Sequence, residues 1–180
     1  MTTIICAKDK NKVVMAADSR CTAGHNITTD NFNKIVKIDD KIFYGYSGSV
    51  CTGDIYKRYI TDIVRTKNYD LLSCKNELID LFFEDKLKEL LDKNKDIEFL
   101  ICNNEVILQI QAHCIIEIES FYSVGSGSRY ATGAFDILYN NEYTDLETIA
   151  INAIKVASKY DVYTNDNIKT ESLDRTYIDT

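Results

Sequence analysis

Apolar positions open the chain in two short, almost unbroken runs, Thr3-Ile4-Ile5-Cys6-Ala7 and Lys12-Val13-Val14-Met15-Ala16-Ala17, parted by polar Lys8-Asp9-Lys10-Asn11. Runs this short and continuous predict two strands covered on both faces and joined as a hairpin. Asp18-Ser19-Arg20 ends the second strand, and a long polar loop through Gly24, His25 and Asn26 follows. Residues 34–38, Lys-Ile-Val-Lys-Ile, alternate as a half-buried strand does, turn at Asp39-Asp40 and return from Lys41 to Tyr46. Ser47-Gly48-Ser49 breaks that strand. The period then becomes helical, with Ile55, Tyr56, Tyr59, Ile60, Ile63 and Val64 on one face. A second helical run spans 71–91 through Cys74, Leu78, Phe82, Leu87 and Leu90. Residues 97–102 and 105–110 flank Asn103-Asn104 as a hairpin, because Asn tolerates the positive φ of a tight turn. One or two more strands lie within 113–124. Gly125-Ser126-Gly127-Ser128 stops them and starts a helix through Ala131, Phe135 and Leu138. Thr144-Asp145-Leu146-Glu147 matches a capping box, with Thr144 as N-cap, for a helix carrying Leu146, Ile149, Ala150, Ala153 and Ala157. A loop over 160–165 and an edge strand within 167–178 complete the pattern.

Strands, two helices, strands, two helices is the order of an α+β fold rather than of strict βαβ alternation. Two antiparallel sheets face to face, each with a helix pair outside it, bury every apolar face: a four-layer α-β-β-α sandwich. Neither an internal repeat nor a linker divides residues 1–180, so one domain is expected.

Composition narrows the class. At 180 residues, 45% apolar and 27% charged, the chain suits a soluble globular domain. A net charge of -7 with no basic cluster argues against a nucleic-acid surface. No apolar run nears the roughly 18 residues of a membrane span, and the N-terminus lacks a secretion-signal pattern. The six cysteines are scattered without metal-site spacing, which predicts reduced thiols in a cytoplasmic compartment.

Candidate chemistry begins at Met1-Thr2-Thr3. Without Met1, Thr2 carries a hydroxyl and an α-amine that titrates at roughly 7.7–8.0, a nucleophile beside its own base. Such a nucleophile needs a cation, a carboxylate to place the cation, and N–H donors for an oxyanion. Asp18 ends the strand paired with the one that carries Thr2, and Lys34 begins the third strand, so the two can meet at one rim of a sheet. Ser47-Gly48-Ser49 and Gly125-Ser126-Gly127-Ser128 are strand-to-helix junctions, where free N–H groups favour an anion. Each feature alone also fits a plain role: a turn Asp, a solvated Lys, Gly-Ser loops, a strand beginning at Thr2-Thr3. His25 and His113 sit in no catalytic motif, and no Gly-x-Ser-x-Gly elbow is present.

Together these segments resemble the proteasome-type N-terminal threonine peptidases, a family that includes proteasome β subunits and the bacterial HslV peptidase. The resemblance runs through Thr2-Thr3-Ile4-Ile5, through Ala16-Ala17-Asp18-Ser19-Arg20-Cys21-Thr22-Ala23-Gly24, through Lys34 sixteen residues after Asp18, through Ser47-Gly48-Ser49, and through Val124 to Ala131. It implies the N-terminal nucleophile hydrolase fold. It implies Thr2 as nucleophile with its freed amine as general base, Lys34 to tune the hydroxyl, Asp18 to orient Lys34, and Gly48 N–H for the oxyanion. Ser128 would hold the amine, with Ser126 as the alternative, supported by Asp161 and Thr164. Cys21, Val36, Tyr46 and Val50 would line a medium-sized side-chain pocket. The loop at Ser158, Asp161 and Thr164 would hold a sodium ion, with no cofactor for the chemistry itself. The family further implies a stacked double ring of this chain. Unfolded polypeptide would be fed in by an HslU-like or other AAA+ unfoldase ring, ATP being used only by that partner. The Asp18 segment looks proteasomal, whereas the length and Tyr163-Thr164-Asn165 look HslV-like. The alternatives are therefore a β-type subunit of a 20S-like particle, a catalytically silent ring subunit, or an N-terminal-nucleophile amidase for a small molecule. Every catalytic version requires loss of Met1.

Overall fold

A computed structural model describes residues 2–48, 50–83, 97–111, 114–139 and 144–175, apart from the side chains of Cys51 and Thr52. In chain order the elements are β1 (Thr3–Lys8), β2 (Lys12–Asp18), β3 (Cys21–Ala23), β4 (Asn26–Thr29), β5 (Ile35–Ile38), β6 (Ile42–Ser47), α1 (Val50–Thr66), α2 (Lys75–Phe83), β7 (Glu98–Cys102), β8 (Ile107–Gln111), β9 (Cys114–Ile118), β10 (Phe121–Gly125), α3 (Ser128–Tyr139), α4 (Leu146–Tyr160) and β11 (Ile168–Asp174).

Two antiparallel sheets carry the architecture. One has the order β10-β1-β2-β11, the other β5-β6-β7-β8-β9. The continuous apolar runs of β1 and β2 have the reason expected of them. Side chains alternate along a strand, so Ile4, Cys6, Val13, Met15 and Ala17 point into the space between the sheets, against Ile35, Phe43, Leu100 and Ile107. Ile5, Ala7, Val14 and Ala16 point the other way, onto Phe135, Ile149, Ala150, Ala153 and Ile154 of α3 and α4. The outer face of the second sheet packs Tyr44, Tyr46, Phe99, Ile101 and Leu108 against Tyr56, Ile60, Val64 and Leu78 of α1 and α2. The result is the four-layer α-β-β-α sandwich of an α+β fold.

Several local expectations are corrected. The polar stretch after Asp18 is not all loop: β3 and β4 pair around Gly24, whose φ of 60° suits the turn. The two strands expected within 113–124 belong to different sheets, β9 beside β8 and β10 beside β1. Asn103 works through its side chain, Oδ1 accepting from the N–H groups of Glu105 and Val106 at 2.9 and 2.7 Å. It is not among the residues with positive φ. Asp145, not Thr144, caps α4, accepting from Thr148 N at 3.0 Å. The second helical run is described as α2, and its positions Leu87 and Leu90 lie outside the described residues, as do Met1, Ser49 and His113. No described helix is long and apolar enough to cross a membrane.

Candidate active site

The site forms where the start of β1, the end of β2 and the entry to β5 come together. The β1–β2 register pairs Ile4 with Ala17, which sets Thr3 beside Asp18. Asp18 is fully buried, and its Oδ1 receives two donors: the Thr3 backbone N–H at 2.8 Å and the Lys34 ammonium at 2.6 Å. Its Oδ2 accepts from Arg20 N at 2.9 Å and, more weakly, from Asn165 N at 3.4 Å. A buried carboxylate loses hydration, and here charge-assisted hydrogen bonds replace it. Lys34 is only 4% exposed. Burial lowers its pKa from the ordinary lysine value, and the neighbouring Asp18 carboxylate opposes that shift. The Lys–Asp pair is thus tied to the residue that follows Thr2, and Thr2 is itself buried.

On the other side of Thr2 lies the Gly125–Ser128 junction. A Cβ at Gly125, whose φ is 97°, would stand 1.9 Å from the Thr2 carbonyl oxygen, so only glycine lets the two backbones approach. The same Cβ would lie 3.5 Å from the Ser47 Cβ, which brings the β6–α1 junction to this spot. Gly48, at that junction, has a φ of 125° and is exposed. The two serines differ in their contacts. Ser126 Oγ donates to Asp161 Oδ2 at 2.7 Å and lies 3.5 Å from the Thr2 carbonyl oxygen. Ser128, placed first by the resemblance, starts α3 and offers its carbonyl to Ser123 Oγ at 2.9 Å.

Asp161 follows α4 as its C-cap residue. Its Oδ2 also accepts from Thr164 Oγ1 at 2.6 Å, and its Oδ1 accepts from Tyr163 N at 3.3 Å. These bonds bear on the implied sodium ion. The Asp161 carboxylate is committed inward, and the Ser158 hydroxyl donates back to Lys155 O at 2.9 Å. A cation in this loop would draw on carbonyl oxygens of Ser158, Asp161 and Thr164, of which that of Asp161 already accepts from Thr164 N at 3.1 Å; oxygen donors of this kind fit a hard ion.

Of the pocket residues, Cys21 is half-buried at the start of β3. Val36 is half-buried on β5, paired with Tyr44. Tyr46 is buried, its hydroxyl donating to Val50 O at 3.2 Å. A Cβ at Gly53 would lie 1.7 Å from the Tyr46 ring, so that glycine is what lets α1 close over the tyrosine.

Three residues within the segments that carry the resemblance make contacts that the sequence motifs do not show. Thr3, read as a strand residue, places its hydroxyl 2.6 Å from Thr164 Oγ1. Asn165 accepts from Ser19 N at 3.0 Å and donates to Asp30 Oδ1 at 3.0 Å. Arg20 donates to Asp30 Oδ1 at 2.8 Å and to the Val162 carbonyl at 2.9 Å, tying the two loops at the site together. For Asn165 the available signal was its place in the loop over 160–165 that follows a helix.

A buried threonine just ahead of β1, a buried Lys–Asp pair at the end of β2 and a glycine-bounded junction, on a four-layer sandwich, make up the N-terminal-nucleophile class of fold. The family model described as "Proteasome subunit" matches residues 1–96 and 100–173, and the chain belongs to that family. It is similar to the ATP-dependent protease subunit HslV of Petrotoga mobilis, 31% identical over 180 residues that cover 96% of this chain and 97% of that one. The ATP-dependent protease subunit HslV of Borreliella burgdorferi is 28% identical over 175 residues, 96% of each chain. The crystal structure of eukaryotic HslV from Trypanosoma brucei superposes with a TM-score of 0.87 at 23% identity, over 96% of this chain and 99% of that one.

Proposed function

We propose that this chain is the proteolytic subunit of an ATP-dependent, chambered protease, a threonine-type endopeptidase that cleaves unfolded polypeptides with Thr2. The observation that carries this reading is the Asp18 carboxylate, which receives the Lys34 ammonium and the Thr3 N–H on one oxygen. That arrangement sets a buried cation beside the residue preceding Thr3.

Once Met1 is removed, the Thr2 hydroxyl attacks the scissile carbonyl carbon. Its proton passes to the free α-amine, directly or through a water. The oxyanion is received by the Gly48 N–H. Collapse breaks the C–N bond, the departing amine takes the proton from the α-ammonium, and an ester on Thr2 remains. Water then hydrolyses that ester by the same path. Lys34 favours the anionic form of the hydroxyl, Asp18 holds Lys34, and Ser128, or Ser126 in its place, steadies the amine with support from Asp161 and Thr164. Cys21, Val36, Tyr46 and Val50 receive the substrate side chain.

The relatives called ATP-dependent protease subunit HslV support an HslV-like assembly over a 20S-like β subunit. It would be a cytoplasmic double ring of this chain, served by an AAA+ unfoldase ring that alone consumes ATP. The presence of both Thr2 and Lys34 argues against a silent subunit. The test is reaction with a peptide electrophile directed at N-terminal threonines, followed by mass mapping. The label is expected on Thr2 of chains lacking Met1, and label elsewhere sinks the mechanism.

A further inference from the structure

Thr3 makes two polar contacts with opposite sides of the site. Its backbone N–H donates to Asp18 Oδ1 at 2.8 Å, and its hydroxyl lies 2.6 Å from Thr164 Oγ1. Proton counting orders the second contact. As a carboxylate, Asp161 can only accept, so Ser126 Oγ and Thr164 Oγ1 both donate to its Oδ2, at 2.7 and 2.6 Å. Thr164 has then spent its only proton, and the Thr3 hydroxyl must be the donor in their shared bond. The chain runs one way, from Thr3 to Thr164 to Asp161, with Ser126 arriving from the other side.

Space at the convergence is as restricted as the protons. A Cβ on Gly127 would lie 2.2 Å from Thr3 Oγ1, 2.9 Å from Thr164 Oγ1 and 3.1 Å from Asp161 Oδ2. The glycine therefore admits three oxygen-bearing side chains to one point. Thr3 is completely buried, so no water substitutes for its hydroxyl partner. A strand residue without function needs no such donor, and valine would serve β1 equally well by shape and by strand preference.

We propose that Thr3 is a positioning residue for the nucleophile, holding Thr2 in register by tying the head of β1 to Asp18 on one side and, through Thr164, to Asp161 on the other. This rests on the threonine-peptidase reading above. Thr3 touches no reacting atom. It fixes the backbone from which the Thr2 hydroxyl and amine project, and small misplacements of a reacting group are costly in rate.

The test compares wild type with Thr3→Val, Thr3→Ser, Thr164→Val and the double valine variant. Each is read by the rate of electrophile labelling at Thr2 and by kcat and KM on a short fluorogenic peptide. Thr3→Val keeps the shape and loses the donor. It is expected to lower kcat and the labelling rate about tenfold, with KM within about twofold, since one buried hydrogen bond is worth roughly that factor. Thr3→Ser, which keeps the donor, recovers most of the rate. Thr164→Val is at least as slow as Thr3→Val, and adding Thr3→Val to it costs little more, because the two residues act through one bond. A wild-type protein that takes no label on Thr2 overturns the peptidase reading itself. A wild type that labels normally, with Thr3→Val equally fast or Thr3→Ser as slow as Thr3→Val, overturns the role of Thr3 alone.

Discussion

Asp18 and Lys34 form the most deeply buried ion pair among the described residues, at 2.6 Å with neither side chain more than 4% exposed. Burying two charges costs solvation that their attraction only partly returns, so such a pair is weak evidence for stability as such. Removing one partner leaves the other charge buried and alone. Lys34→Met and Asp18→Asn are each expected to destabilise the fold by about 3–5 kcal/mol and to abolish peptidase activity. The double variant Asp18→Asn/Lys34→Met is expected to recover most of the melting temperature while staying inactive. Thermal unfolding and peptide hydrolysis on the same samples check this. A double variant as unstable as the worse single one would mean that the pair is structural first. The same balance acts on Lys34: burial favours its uncharged amine, and the Asp18 carboxylate opposes that and favours the ammonium on which the electrostatic role depends.

At the scale of elements, the β5–β6 turn shows how local chemistry sets geometry far from the site. Asp39 and Asp40 both have positive φ, as a tight hairpin requires, and Lys41 N donates to Ile38 O at 3.1 Å. Arg65 near the end of α1 grips Asp39 with two bonds, at 2.6 and 2.8 Å, and the Tyr69 hydroxyl adds a third at 2.8 Å. Those hydrogen bonds hold the Asp39 carboxyl at about 2, below its ordinary 3.8. A depressed carboxylate stabilises the fold above its unfolded pKa, and that contribution is lost as pH falls through the folded value. The loss is therefore expected between about pH 4 and pH 2. In Arg65→Gln the Asp39 titration, followed by NMR, should move up towards the ordinary value. Because the pair faces solvent, salt should weaken it.

The same elements show how far the sequence could be read. The doubly buried β1 and β2, the alternating β5 and the helical faces of α1 and α4 were legible because their burial follows a simple period. The meeting of Asp18 and Lys34 was legible because both stand at strand ends on one rim, and Gly48 stood out at a strand-to-helix junction. What escaped depends on partners distant in sequence. The β3–β4 hairpin is short and polar, so periodicity says nothing about it. The separation of β9 from β10 is decided by which sheet has a free edge. The bond from Ser126 to Asp161 joins residues 35 positions apart, which no local pattern shows. Thr3 looked like any strand residue because its significance lies in a bond to Thr164.

At the scale of the whole molecule, the proposed assembly makes a further claim. The purified chain is expected to elute at a large multiple of its own 20.6 kDa. It should cleave short peptides slowly alone, and unfolded protein efficiently only when an ATPase ring and ATP are supplied. Sizing together with degradation of an unfolded substrate, with and without ATP, checks both. An active monomer would overturn the chambered reading.

The passage of the chain from β9 in one sheet to β10 in the other has its own effect on the life of the protein. Because β10 returns to pair with β1, the reaction centre draws on residues from both ends of the chain, with Thr3 and Thr164 standing 161 positions apart. No fragment emerging from a ribosome contains it, and non-local contacts of this kind form late in folding. A chain whose synthesis stops before α4 and the loop after it lacks Asp161 and Thr164, and so lacks one side of the centre.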